Sequence, residues 1–91
     1  MDSERKPRRK TENWSEDEED VLILQETGEC IYRLNRTASF IWKLADGTQS
    51  VGDIAGKIKE HFAETPSEDE LLKIVNAILD ELDNLDVIEW A

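Results

Sequence analysis

The hydrophobic pattern of the chain changes near residue 36. Before that point, two short runs of β-branched and aliphatic residues, 21–25 and 30–34, are separated by a link that contains Gly28. This pattern predicts a β-hairpin. A preceding strand at residues 11–15, joined by an exposed acidic turn at residues 16–20, would complete a three-stranded antiparallel sheet. Within 30–34 the apolar side chains alternate, so we expect Cys30 to be a small packed hydrophobe.

After residue 36 the apolar residues recur with the period of an α-helix, and three helices are predicted. The first is short, mostly apolar and buried, with Thr37 as its expected N-cap and Gly47 as the left-handed residue after its end. The second begins after Ser50, with Asp53 as the capping-box partner. The third begins after Ser67, with Glu70 as a second capping-box partner, and runs to about residue 85. A short extended segment then closes the chain, and the predicted fold class is α+β.

The third helix carries two apolar stripes. The main stripe must face the core, and it consists of Leu71, Ile74, Val75, Ile78, Leu82 and Leu85. Leu72 and Leu79 lie about 80–100° away from its centre, with Asn76 and Asp83 flanking them further round. This second stripe indicates either wider burial in the core or a groove for a partner.

Charge is distributed unevenly along the chain, which has 11 Lys and Arg against 22 Asp and Glu and a net charge of −11. Residues 1–10 hold five basic and two acidic side chains and are expected to be a flexible basic tail. A nucleic-acid-binding arm and an arm that docks on the acidic body are the alternatives. Residues 11–91 form the single domain. Their 20 acidic and six basic residues repel phosphate and anionic lipid, so we expect neither nucleic acid nor membrane as a partner.

Motifs for catalysis or for metal and phosphate binding are missing from the sequence. The single Cys30 and the single His61 cannot build a four-ligand zinc site, and there is no glycine-rich phosphate motif. His61, near the end of the second helix, is interpreted as structural. We therefore expect no catalytic residue, no metal and no cofactor. Neither a secretory signal nor an apolar run of about 20 residues occurs, which favours a cytoplasmic location.

Two segments resemble the PqqD-like family. Residues 31–42, IYRLNRTASFIW, resemble one of its motifs, and residues 46–55, DGTQSVGDIA, resemble a second at the right separation. The resemblance covers roughly residues 12–90 and includes the order of three strands followed by three helices. It implies a winged-helix-like α+β domain that serves as a precursor-peptide recognition element. Such a domain is not a catalyst. It binds the leader of a ribosomally made peptide and delivers it to a modifying enzyme, such as a radical-SAM protein, a peptidase or a cyclase.

The resemblance also implies where the leader binds. The family's binding strand falls on residues 29–34 and its binding helix on residues 68–84. The leader is expected to add as a strand beside the first and to rest on the second stripe of the helix. The candidate peptide-binding residues are Cys30, Ile31, Tyr32, Arg33, Leu34, Leu72, Asn76, Leu79 and Asp83.

Two alternatives from other classes remain at this point. A winged-helix DNA-binding regulator has a similar topology, but its recognition helix needs Arg or Lys, and residues 68–84 hold six acids against Lys73 alone. A dimerisation module is the other alternative. The sequence leaves a homodimer open, because small domains with an exposed sheet edge can exchange strands between copies.

Overall fold

The computed structural model describes residues 4–25, 27–62 and 64–91. Its elements are β1 (Pro7–Arg9), β2 (Trp14–Asp17), β3 (Asp20–Leu24), β4 (Cys30–Leu34), α1 (Arg36–Leu44), α2 (Val51–His61), α3 (Glu68–Asn84) and β5 (Ile88–Trp90). Strands β2, β3 and β4 form an antiparallel sheet in that order, and β1 pairs with β5. The predicted α+β class, with a three-stranded sheet followed by three helices, is confirmed.

The first hairpin is tighter than predicted. β2 begins at Trp14 rather than at residue 11, and the turn to β3 contains only Glu18 and Glu19. The acidic residues on either side of the turn belong to strands, because Arg33 of β4 bridges two of them. Its guanidinium lies 3.2 Å from the carboxylate of Asp17 and 3.0 Å from that of Asp20. These ion pairs offset part of the repulsion within the acidic run.

Strand β4 has one extra residue within its pairing with β3. Ile23 of β3 pairs with Tyr32 and the next residue, Leu24, pairs with Cys30, so Ile31 has no partner across the ladder. This β-bulge breaks the alternation of the strand. Tyr32 is half-buried and Leu34 is buried, but Cys30 is exposed. The prediction that Cys30 is a packed hydrophobe is therefore wrong.

Helix α1 begins two residues earlier than expected. Its N-cap is Asn35, whose side chain accepts a hydrogen bond of 2.8 Å from the N–H of Ala38, and not Thr37. Asn at this position is as effective as Thr in binding the free N–H groups of a first turn. The helix presents Ile41 and Trp42, both fully buried, to the core.

The N-caps of the other two helices are Ser50 and Ser67, as predicted, but only Ser50 forms the predicted capping box among the described residues. Ser50 and Asp53 form a reciprocal capping box at the start of α2, and the Ser67 hydroxyl accepts a hydrogen bond from the N–H of Glu70 at the start of α3. The core lies between these helices and the sheet, and its largest fully buried side chains include Ile23, Trp42, Ile54, Leu79 and Ile88. None of the helices in the described part of the chain has the length and apolar character that crossing a membrane requires.

The basic N-terminal segment is part of the fold. β1 pairs in antiparallel register with β5, and Pro7 is buried. The guanidinium of Arg5 lies 3.6 Å from the ring centre of Trp90. The expectation of a flexible tail over residues 1–10 is therefore wrong for residues 5–10, while residues 1–3 lie outside the described part. Of the two alternatives, an arm that docks on the acidic body describes residues 5–10.

The hydroxyl of Ser39 joins three elements at the end of the sheet. Val21 and Leu34 are partners across β3 and β4, and Ser39 of α1 stands between their backbone groups. Its oxygen accepts a hydrogen bond of 2.7 Å from the N–H of Val21, and its hydroxyl donates one of 3.1 Å to the carbonyl of Leu34. Ser39 is 1% exposed, so water cannot replace these bonds.

We expect Ser39→Ala to lower the free energy of unfolding by about 1–3 kcal/mol, because it leaves a buried donor and a buried acceptor without partners. Denaturant titration measures the loss. Ser15→Ala, on the exposed strand β2, is the matched control and should change stability by less than about 0.5 kcal/mol. Equal stability of the two variants would show that the Ser39 bridge contributes nothing to the fold.

Candidate functional site

A groove separates β4 from α3. Strand β4 is the last strand of its sheet, so one of its edges has no neighbouring strand in the described part of the chain. A cavity of about 220 Å³ lies between this strand and the helix. Its lining residues are Tyr32, Arg33, Leu34, Asn35, Ala38, Ile78, Glu81, Leu82 and Leu85. An open strand edge beside a cavity with apolar residues on both walls is the arrangement that extended peptides bind.

The strand side of the groove contains three of the predicted residues. Tyr32, Arg33 and Leu34 all line the cavity, with Leu34 buried and Tyr32 half-buried. Cys30 and Ile31 precede them on the same edge strand and are exposed, and Ile31 is 44% exposed. The thiol of Cys30 donates to the carbonyl of Tyr32 over 3.4 Å. The structure therefore places the predicted strand residues together on one sheet edge.

The apolar residues on the helix side of the groove belong to the stripe that was predicted to face the core. Ile78 and Leu85 are half-buried and line the cavity, and the exposed Glu81 lies between them along α3. Ile74, one turn before Ile78, is 40% exposed. These four positions follow the spacing of one helix face, so Ile74 extends the wall formed by Ile78 and Leu85 along the helix.

The structure does not bring the predicted wall of Leu72 and Leu79 to this groove. Leu79 has no exposed surface and belongs to the core, and Leu72 is half-buried against the same core. The apolar arc of α3 is wide, and its centre at Val75, Leu79 and Leu82 packs inward. The groove consequently lies at the other border of the arc, where Ile74 and Ile78 were expected to face the core.

Asn76 and Asp83 are also engaged elsewhere in the fold. Asn76 is 6% exposed, and its side-chain amide donates a hydrogen bond of 2.9 Å to the carbonyl of Leu72. Asp83 accepts a hydrogen bond of 3.4 Å from the indole of Trp90 in β5. Neither side chain lines the groove. None of the four predicted helix residues therefore lines this groove.

Two charged side chains reach the groove, and they differ in their partners. Arg33 is held by Asp20 and Asp17, and its hydrogen bond to Asp20 is the main reason why the pKa of Arg33 is raised above its usual value. The carboxylate of Glu81 has no hydrogen bond or ion pair with any of the residues that the structure describes. The groove thus contains a neutralised cation and an unneutralised anion.

A second cavity lies on the opposite side of α1 and is aromatic. Its rings are those of Phe40, His61 and Phe62, and the His61 ring stacks on Phe40 with 4.5 Å between centroids. The guanidinium of Arg36 lies 5.0 Å from the ring centre of Phe62. These contacts account for His61 as a packing residue. Within the described ranges, no three Asp, Glu, His or Cys side chains are grouped so that they could hold a metal ion.

The family relationship of the chain follows from comparison with known proteins. Residues 19–88 match the family described as "Coenzyme PQQ synthesis protein D (PqqD)". Neither the curated proteins nor the solved structures include a significant match to the chain. The matched span contains β3, β4 and all three helices, and therefore both walls of the groove. The chain belongs to the PqqD family, the recognition-element family of ribosomally synthesised and modified peptides.

Proposed function

We propose that this protein binds the leader of a ribosomally made precursor peptide and delivers it to a modifying enzyme. The observation that carries the proposal is the groove between the unpaired edge of β4 and the apolar wall of α3. Members of the PqqD family take part in peptide binding for such biosynthesis and are non-catalytic accessory proteins. The modifying enzyme is a radical-SAM protein, a peptidase or a cyclase.

Strand addition explains why both walls of the groove are needed. The leader forms main-chain hydrogen bonds with the free edge of β4 at residues 30–34, and these bonds set its register. Every second leader side chain then points into the groove and packs on Tyr32, Ile78 and Leu85. The apolar contacts supply most of the affinity, since each main-chain hydrogen bond adds only about 0.5–1.5 kcal/mol net.

Selection from a displayed library of random peptides tests this function directly. Peptides of about ten residues are long enough to cover β4 at both ends. A selected peptide should slow hydrogen exchange at backbone amides of residues 30–34 and shift the NMR signals of Ile78 and Leu85. Only alternate N–H groups of an added strand face β4. A version of the peptide that is N-methylated at those residues should lose binding, whereas a version methylated at the other residues should bind normally. Protection that lies wholly outside β4 contradicts strand addition.

Duplex DNA should not bind this protein in a sequence-dependent way. The helix that would enter the major groove, α3, carries Glu68, Asp69, Glu70, Asp80, Glu81 and Asp83 against Lys73. Such a helix repels the phosphate backbone, because recognition helices use Arg and Lys for these contacts. Fluorescence anisotropy with random duplex pools at about 150 mM salt measures the affinity of the protein for DNA. Enrichment of a defined DNA sequence with sub-micromolar affinity would favour a regulator instead.

A further inference from the structure

The groove contains two charged side chains, and only one of these already has partners within the described part of the chain. The guanidinium of Arg33 already contacts Asp17 and Asp20 at 3.2 Å and 3.0 Å. A leader carboxylate would have to compete with both aspartates for it. Glu81 lines the same cavity with its carboxylate free of partners among the described residues. The groove therefore offers a ligand one carboxylate without a partner in the described chain, whereas its guanidinium is already paired with two aspartates.

The charges around Glu81 add to the negative potential of the groove. Lys73 is the one basic residue of α3, against six acidic residues. Lys73 lies eight positions before Glu81, which is about 12 Å along the helix and farther than one Debye length at physiological salt. The whole chain carries a net charge of −11. A cationic peptide is therefore attracted to this groove at long range and meets an unpaired carboxylate when it arrives.

The wall around Glu81 also fixes where the ligand's charge must stand. Ile78 precedes Glu81 by three positions and Leu85 follows it by four, so the carboxylate is flanked by aliphatic side chains on one helix face. Side chains of an added strand reach the same wall at every second residue, about 6.6 Å apart. Neighbouring contact points on the helix face are separated by about 4.5–6 Å. The two spacings match closely enough for successive groove-facing side chains to meet an aliphatic residue and Glu81.

We infer that the groove recognises a cationic, aliphatic leader segment in which a Leu, Ile or Val and a Lys or Arg stand two residues apart. The aliphatic side chain packs on Ile78 or on Leu85, and the cation two residues away pairs with Glu81. This inference rests on the proposed function, because it assumes that an extended peptide occupies the groove. Glu81 is then the residue that selects leaders by charge, and the apolar wall selects them by shape.

Parallel selections from one random peptide library test the inference. The wild-type protein should enrich peptides with an aliphatic and a basic residue two positions apart. Glu81→Lys should enrich Asp or Glu at the position of the basic residue and keep the aliphatic one. Glu81→Gln should keep the aliphatic preference and lose the charge preference. Changing the selected Lys or Arg to Glu should weaken wild-type binding by about two- to fivefold or more, and Glu81→Lys should restore it.

The outcomes separate this inference from the proposed function. If wild type and Glu81→Lys enrich the same peptides, and binding still depends on the groove, the charge rule is wrong and the function stands. Groove dependence is measured with Ile78→Asp and Ile74→Asp, since Ile74 is 40% exposed and tolerates a charge without unfolding. If both folded variants bind the selected peptides as wild type does, or if the library yields no peptide at all, the proposed function itself is contradicted.

Discussion

Ile78→Asp should leave the protein folded and remove its peptide binding, whereas Leu79→Asp should unfold it. Adjacent residues of a helix point about 100° apart, so these two side chains meet different surroundings. Ile78 is half-buried and lines the groove, where an unpaired charge disfavours an apolar ligand side chain. We expect a loss of affinity of about a hundredfold, which corresponds to roughly 3 kcal/mol.

Leu79 has no exposed surface, and an aspartate there would be a buried charge without a partner. Such a charge costs several kcal/mol, a large part of the roughly 5–15 kcal/mol by which a domain is stable. Circular dichroism and thermal melting measure the fold, and titration with a selected peptide measures binding. Ala77→Asp, on the exposed face next to Ile78, is the matched control and should change neither.

The contrary results are distinct for the two residues. A folded Leu79→Asp variant that loses binding would return the groove to the Leu72 and Leu79 flank of α3. A folded Ile78→Asp variant with normal binding would exclude the groove between β4 and α3. Either result would overturn the helix wall assigned here, and the second would also remove the basis for strand addition.

Local signals in the sequence are sufficient to predict the helices. A capping box at Ser50 and an N-cap at Ser67 each depend on residues within a few positions, and the structure has both. The start of α1 was misplaced because Asn35 and Thr37 are both good N-caps. The choice between them depends on where β4 ends, and that is set by its pairing with β3.

The groove wall could not be predicted from the pattern of α3 alone. Its large apolar residues span about 160° of the helix circumference at 100° per residue, which is wider than one stripe, so periodicity does not say which part faces the core. The position of the other elements decides this, since α2 and β5 pack against α3 and enclose Leu79. One signal was available in the sequence. Glu81 stands between Ile78 and Leu85, and a charge inside an apolar stripe marks a border with solvent.

The strand at the N-terminus was missed for a related reason. Residues 7–9 are Pro-Arg-Arg and show no alternation of apolar and polar side chains. Their structure depends on pairing with residues 88–90, about 80 positions away, as the register of Pro7 with Trp90 shows. Composition therefore predicts disorder, whereas the C-terminal strand and the acidic body supply the partners that order the segment.

Several contacts of the N-terminal arm would be lost together if residues 1–10 were removed. The arm gives β5 its only strand partner in the described chain, and Pro7 contributes buried surface. The side chain of Arg9 donates hydrogen bonds of 2.9 Å to the carbonyls of Trp42 and Lys43 in the last turn of α1. A cation at this position also interacts favourably with the helix dipole.

Removal of residues 1–10 should therefore lower the free energy of unfolding by about 3 kcal/mol or more, because several hydrogen bonds of about 0.5–1.5 kcal/mol each disappear with the buried proline. For a domain of this size the melting temperature should fall by more than about 10 °C.

The matched control is Arg8→Gln with Lys10→Gln, which removes the exposed ion pairs with Glu89 and Asp86 but keeps the strand. It should have a much smaller effect, since exposed ion pairs contribute little. If the control and the truncation destabilise the protein equally, charge rather than strand pairing holds the arm. If the truncated protein melts at the wild-type temperature, the arm does not contribute to stability, and the original expectation of a free basic tail is correct.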